Sequence, residues 1–302
     1  MNTMKIRLAL LILLLSCGVA AAQIQIDEVR PAPPAGEVEV ENMFGTIEVV
    51  AWDRNEIHVT GRMAAGAEGF EFEVDEEDGE TEISVEAPDH WFHESDDDSE
   101  YRSDLVVHVP RGSSISIETI NATVKVDGVF GAVEVETING NVTISGDPST
   151  VEIESMTGDI DVRAQTAEMD IEAVSGSVLL FGATGSVEVE CVSGEVVVQG
   201  TALGEVSVET VSGPVTLDVS VAERGEIDIE THSGDVELLL PSDVQATFSV
   251  STFNGTIENE VGPKPRKTGR FEPYTELRFS TGPEEFEVQV ETFSGNIGLR
   301  LR

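Results

Sequence analysis

An all-β fold is what this sequence predicts: a β-solenoid, or β-helix, of stacked rungs of roughly 18–21 residues, entered through a more irregular β region. Three observations carry that prediction. Apolar and polar residues alternate with a period of two through most of the chain, the pattern of half-buried strands. One phrase recurs, as Val-Glu-Val-Glu-Thr-Ile-Asn-Gly-Asn-Val-Thr-Ile from Val133, Val-Glu-Ile-Glu-Ser-Met-Thr-Gly-Asp-Ile-Asp-Val from Val151 and Val-Glu-Val-Glu-Cys-Val-Ser-Gly-Glu-Val-Val-Val from Val187. The turn glycines keep a fixed spacing: Gly140, Gly158, Gly176 and Gly194 at 18 residues, Gly213, Gly234 and Gly255 at 19, 21 and 21, and Gly295 a further 40 on, about two periods. A two-strand unit of that size cannot bury its apolar face alone, so each copy reads as one rung of a stack. About nine or ten rungs at ~4.8 Å give a rod of roughly 45 Å.

Taken in order, residues 1–22 read as a secretion signal. Lys5 and Arg7 precede the apolar run Leu8–Leu15, and Ala20, Ala21 and Ala22 offer a cleavage site before Gln23. A competing route lies in Leu14-Leu15-Ser16-Cys17-Gly18, a lipobox-like stretch in which Cys17 would be lipidated. Residues 23–36, with Pro31, Pro33 and Pro34, read as an extended linker. Residues 37–112 form an N-terminal β region: a first copy of the phrase from Val38, a hairpin of 70–74 and 81–85 about Asp78-Gly79, and a polar, acidic insertion over 89–104. Its Trp91, Phe92 and Tyr101 are candidates to cover the open end of the stack. Residues 113–302 are the regular rungs, with Asn121-Ala122 in place of the first Asn-Gly and Asn expected to take the left-handed turn there.

Within a rung, Val187, Val189 and Cys191 share one face and Glu188 and Glu190 the other. The Ser-Gly corner turns the chain so that Val196 and Val198 point inward from a second strand. The corner glycine answers a need for positive φ or a very tight path, and Ser or Asn before it is expected to bond local backbone. Stacking in register would place Glu136, Glu154, Glu172, Glu190, Glu209 and Glu230 in one outward column, with Glu134, Glu152, Asp170, Glu188 and Asp228 in a second beside it. Neighbouring carboxylates at that spacing repel by roughly 1 kcal/mol even at the dielectric constant of water.

The formal charge of the 302 residues is −41, or −43 once Lys5 and Arg7 leave with the signal. Such a field repels nucleic acid and anionic lipid, and leaves cations or a basic protein or surface as partners. A membrane association would come only through a lipidated Cys17. After cleavage Cys191 is the one cysteine left, so no disulfide staples the fold, and its place in the repeat is that of Thr137, Ser155 and Thr210.

Chemistry is harder to find. Ser175, Ser193, Ser212, Ser233 and Ser294 precede glycines once per rung, which is how turn residues behave and not how a nucleophile does. His90 and His93, followed by Asp96, Asp97 and Asp98, are the one dense set of metal-ligand types, but their spacing matches no recognised zinc pattern. No Gly-Gly-x-Gly-x-Asp repeat or EF-hand loop is present, and no cofactor is expected. His232 stands where other copies carry Ile or Val, and the basic stretch Lys264–Arg270 is either a solvated insertion or a partner for the acidic face. Polysaccharide lyases and hydrolases use β-solenoids, but Lys and Arg are scarce in these rungs, Lys125 and Arg163 standing almost alone.

The repeated Val-x-Val-Glu-Thr-Val-Ser-Gly-x-Val phrase, led in by Val109-Pro110-Arg111-Gly112, resembles the bacterial putative-adhesin family of β-strand repeat proteins, a domain family of unknown function. The resemblance covers about residues 37–302 and rests on repetition. It implies a secreted or envelope-anchored β-solenoid and brings no catalytic residues. The expectation is thus an exported, extracytoplasmic and non-enzymatic scaffold or interaction surface, with adhesion the specific form. A carbohydrate-active enzyme and a protein that self-associates end to end are the alternatives.

Overall fold

A computed structural model describes residues 24–63, 69–75, 79–86, 102–268, 274–282 and 286–302. The expected signal with Cys17, most of the acidic insertion with Trp91, Phe92 and Tyr101, and the metal candidates His90, His93, Asp96, Asp97 and Asp98 lie outside the described residues. Among those described the chain is all β, 24 strands and no helix.

Two parallel ladders run the length of the stack. In the first, Val133–Asn139, Val151–Thr157, Glu168–Ser175 and Ser186–Ser193 pair in succession, so that Val135 lies beside Ile153, then Ile171, then Val189. In the second, Val142–Gly146, Ile160–Ala164 and Val178–Ala183 pair the same way, Ile144 beside Val162, then Leu180. Each residue meets its counterpart 18 positions on, as the glycine spacing predicts. Further along, Val196–Ser212 and Val215–Ser233 are long enough to serve both ladders in turn.

The two ladders bury their alternate residues in one core. Val135, Ile153, Ile171 and Val189 are wholly buried from one side, and Ile144, Val162, Leu180 and Val198 from the other. Burying each such side chain contributes about 1.5–3 kcal/mol, so stability is spread along the two ladders as a sum of neighbour contacts.

The corner glycines show how tightly rungs stack. A Cβ on Gly176 would collide with the carbonyl oxygen of Gly158 and stand 2.7 Å from its carbon, and Gly176 itself sits at φ +132°. Only glycine fits on either count. The corner N–H groups keep the ladder bonded: Gly158 donates to the Ser175 carbonyl and Gly176 to the Ser193 carbonyl, both at 3.1 Å.

Four features depart from the sequence reading. First, space does not follow chain order at the C-terminal end. Phe286–Ser294 pairs with Val215–Ser233 on one side and Thr247–Asn254 on the other, and Ile297–Leu301 is likewise held between Val236–Leu240 and Ile257–Asn259. The final rung is therefore inserted into the stack, with Gly295 between Gly234 and Gly255. At Gly255 it is contact with the Gly295 carbonyl, 2.7 Å from its carbon, that excludes a side chain.

Second, the first rung, Glu37–Asn42 and Phe44–Trp52, is inserted in the same way. It lies between Ser114–Asp127 and the later strands Glu80–Glu86 and Ser103–Pro110. Third, residues 24–31 of the expected linker form the strand Ile24–Pro31, antiparallel to Glu56–Met63, because the alternation there drives Ile26 into the core. Fourth, Asn121 does not take a left-handed turn. Ser114–Asp127 passes through Asn121-Ala122 as one strand, and Ala202 is the sole non-glycine residue with positive φ among those described.

The hairpin expected from 70–74 and 81–85 is present as Gly69–Val74 against Glu80–Glu86. Both ends of the first ladder finish in antiparallel strands, Gly69–Val74 at one and Tyr274–Ser280 with Arg266–Thr268 at the other. The basic stretch so forms an edge strand, Arg266 lying across from Glu276. Lysine and proline beside an edge discourage further strand addition.

Candidate functional site

Side-chain parity along the first ladder creates the site. In the rung from Val133, Val133, Val135 and Thr137 point inward, while Glu134, Glu136 and Ile138 point out. Glu136 and Ile138 thus stand on the same outer surface, about 6.6 Å apart along the strand, with the backbone of Thr137 between them. Repeated rung upon rung, this gives a groove with two unlike walls and a volume of about 1070 Å³.

The acidic wall is the predicted column. Glu118, Glu136, Glu154, Glu172, Glu190, Glu209 and Glu230 pair in direct register, and the inserted rung extends the series through Glu291 to Ser251. The second column also forms but is broken, since Ser207 separates Glu188 from Asp228 and Gln289 follows. Crowding acts on its acidity. Burial and then the neighbouring Glu134 and Asp170 raise the Glu152 carboxyl above its ordinary range. Asp170 and then burial do so for Glu188, and burial with Glu230 and Glu226 for Asp228.

The opposite wall was not anticipated. Ile138, Met156, Val174, Val192, Val211, Phe293 and Phe253 form a column of large apolar side chains that are each 46–53% exposed. His232 fills the gap before Phe293, and its ring stacks on Phe293 at 5.0 Å with planes 1° apart. Phe253 stacks on the other face of Phe293 at 5.0 Å and 7°. A contiguous exposed apolar strip of this kind marks interaction surfaces. Parity could have found it: Ile138 lies two residues after Glu136, and Val192 two after Glu190, so they must share the outward face.

The floor is the column Thr119, Thr137, Ser155, Ala173, Cys191, Thr210, Thr231, Thr292 and Thr252. At its ends Thr119 Oγ1 donates to the Asn42 carbonyl at 2.8 Å and Thr252 Oγ1 to the Gly295 carbonyl at 2.9 Å. Between them the hydroxyls of Thr137, Ser155, Thr210, Thr231 and Thr292 are buried without a hydrogen-bond partner. Cys191 is a buried free thiol whose pKa burial pushes up, the opposite of an activated nucleophile.

Positive charge is kept out of the groove itself: among the described residues no Lys or Arg lines it. Lys125, Arg163, Arg300 and Arg302 belong to the second ladder and pair there with Glu48, Asp161, Glu258 and Asp218 at 2.6–2.9 Å.

The remaining sequence candidates fall elsewhere. The serines before the glycines are exposed or half-exposed corner residues. Where they bond, they reach back one rung, as Ser212 does to the Val192 carbonyl at 3.3 Å. The side chain of the residue after the glycine also bonds from rung to rung, accepting from the backbone of its counterpart 18 residues on. Asp159 N donates to Asn141 Oδ1 at 3.0 Å and Ser177 N to Asp159 Oδ1 at 2.9 Å. Among the described residues no group of three or more His, Cys, Asp or Glu could hold a metal ion.

The fold and groove define an all-β repeat protein with one acidic and apolar face. The chain belongs to the Toastrack DUF4097 family, whose model matches residues 35–262. No curated protein matches it. Among solved structures it is similar to a "putative cell adhesion protein" from Clostridium sporogenes ATCC 15579, at 10% identity and TM-score 0.28, over 92% of this chain and 100% of that one. It is also similar to a "putative adhesin" from Bacteroides fragilis NCTC 9343, at 11% and 0.44, over 92% and 98%. A third, a "putative adhesin" from Parabacteroides merdae ATCC 43184, matches at 8% and 0.33, over 91% and 95%.

Proposed function

We propose that this chain is an exported, non-enzymatic β-solenoid that serves as a cell-envelope interaction surface, adhesion being its specific form. The groove is the observation that carries the reading. Its walls run from Glu118 to Ser251 and from Ile120 to Phe253, with no Lys or Arg between them among the described residues. Each rung offers the same chemistry, a carboxylate facing an apolar side chain, which suits a ligand longer than one rung and does not suit a single reacting centre. The −41 charge favours a basic partner over nucleic acid or anionic lipid. Export rests on the signal read in residues 1–22.

Two observations weigh against the alternatives. Among the described residues the first ladder ends in antiparallel strands, Gly69–Val74 at one end and Tyr274–Ser280 with Arg266–Thr268 at the other, which disfavours parallel end-to-end pairing with a second copy there. A polysaccharide lyase would need a basic Lys or Arg beside its carboxylates, and among the described residues no Lys or Arg lines the groove.

The test is expression in a bacterial host with fractionation, intact mass and a polysaccharide turnover assay. A mature chain beginning at Gln23, or at a lipidated Cys17, in an extracytoplasmic fraction and without turnover is the expected result. A cytoplasmic chain retaining Met1, or saturable turnover, would overturn the reading.

A further inference from the structure

We infer that the groove holds an extended lysine-bearing peptide in the polyproline II conformation, lying along the stack. This rests on reading the groove as an interaction surface and adds what it takes. Three features select that occupant.

The first is the pairing of unlike walls. A lysine is an apolar stem with a cationic head, and such side chains lay the stem on hydrocarbon while the head seeks charge. Val174, Val192 and Val211 supply the hydrocarbon, and Glu172, Glu190 and Glu209 the charge, on the same three rungs. A divalent cation would use only the acidic wall, and a neutral apolar ligand only the other.

The second is repeat length. A polyproline II helix returns to the same face every ~9.3 Å, and two rungs span ~9.6 Å. A lysine at every third residue would thus meet every second glutamate, drifting by only ~0.3 Å per turn. A β-strand laid along the groove presents same-face side chains every ~6.8 Å and falls out of step with the rungs. Polyproline II also leaves its backbone solvated, which suits an open groove that offers no free ladder edge.

The third is the state of the aromatic rings. His232, Phe293 and Phe253 stack on one another, so the faces of Phe293 are covered and ring edges are turned outward. Stacking a sugar needs an open ring face. A wall of edges and aliphatic groups fits proline rings and methylene stems, and so favours a peptide over a glycan.

Fluorescence anisotropy with a labelled peptide of repeated Pro-Pro-Lys triplets, on the folded chain at low salt, tests this. A peptide of Pro-Pro-Glu triplets and a cationic aminosugar oligomer serve as competitors. Three variants separate the explanations. Glu154→Gln with Glu172→Gln and Glu190→Gln should weaken binding about tenfold or more. Val174→Ser with Val192→Ser and Val211→Ser should weaken it about tenfold through the lost stem contacts. Asp147→Asn with Glu195→Gln and Glu223→Gln removes equal charge from exposed sites outside the groove and should change it less than about twofold.

Equal weakening by the third variant would mean diffuse attraction and overturn the proposal. So would indifference to the valine changes, stronger binding of the aminosugar, or no binding at all. All substitutions are at exposed positions, and cooperative melting curves with no loss of melting temperature confirm that each variant is folded. These outcomes are independent of where the protein resides in the cell, so loss of the peptide reading leaves the export reading to its own test.

Discussion

Gly176→Ala should be among the most damaging small substitutions in the stack. The glycine sits at φ +132°, where a side chain costs about 1–3 kcal/mol. The added methyl would also collide with the Gly158 carbonyl of the rung below. Relief requires the two rungs to part at that corner, which loosens Gly158 N–H to Ser175 O at 3.1 Å and Ile160 N–H to Ser177 O at 2.9 Å, at about 1 kcal/mol each. Together these give a loss of about 3–5 kcal/mol. The assay is urea unfolding followed by circular dichroism, with amide exchange of the neighbouring rungs alongside, since repeat stacks can lose all-or-none behaviour. Glu172→Ala, an exposed change on the same rung, should stay within about 0.5 kcal/mol. If Gly176→Ala cost less than about 1 kcal/mol, close backbone approach would not be what holds the corner.

Acidification supplies a second prediction. The raised carboxyls of Glu152, Glu188 and Asp228 bind protons more tightly folded than unfolded, so their contribution opposes folding as pH rises through the folded values. At low salt the melting temperature should therefore gain more between pH 7 and pH 5 in the wild type than in Glu152→Gln with Glu188→Gln. His108, whose pKa burial lowers, pushes the other way in both proteins and cancels in the comparison. Identical profiles would remove column repulsion, as would a melting curve indifferent to salt or divalent cations.

Thr210→Val should be neutral or stabilise by up to about 1–2 kcal/mol, because the buried hydroxyl it removes has no partner; a loss of similar size in thermal unfolding would mean it has one. The inserted rung predicts that Asp228→Cys with Gln289→Cys oxidises to a disulfide, since these positions are paired neighbours, while Asp228→Cys with Ser249→Cys, two rungs apart, does not. The reverse outcome on a non-reducing gel would restore chain order to the stack.

The parts legible from sequence are those set by local repetition. The spacing of Gly140, Gly158 and Gly176 gives the register, and alternation gives the acidic column from Glu136 to Glu230. Insertion of the Phe286 and Glu37 rungs was not legible. Every copy presents nearly the same edges, so the phrase around Gly295 can stack between Gly234 and Gly255 or beyond Gly255 equally well, and only three-dimensional closure selects between the two places. The strand at 24–31 was obscured by prolines that in fact begin at its last residue, Pro31. The apolar wall was present in the parity of Val174, Val192 and Val211. It was hidden by the habit of assigning every valine in a β repeat to the core, a rule that buried area does not support in reverse.

The groove as a two-walled interaction surface is tested most directly by methyl NMR of the chain titrated with the Pro-Pro-Lys peptide. Saturable shifts confined to Ile138, Met156, Val174, Val192 and Val211, with Leu179 and Val197 on the outer face of the second ladder unmoved, are the predicted result. Shifts spread over both faces, or none on the apolar wall, would contradict it.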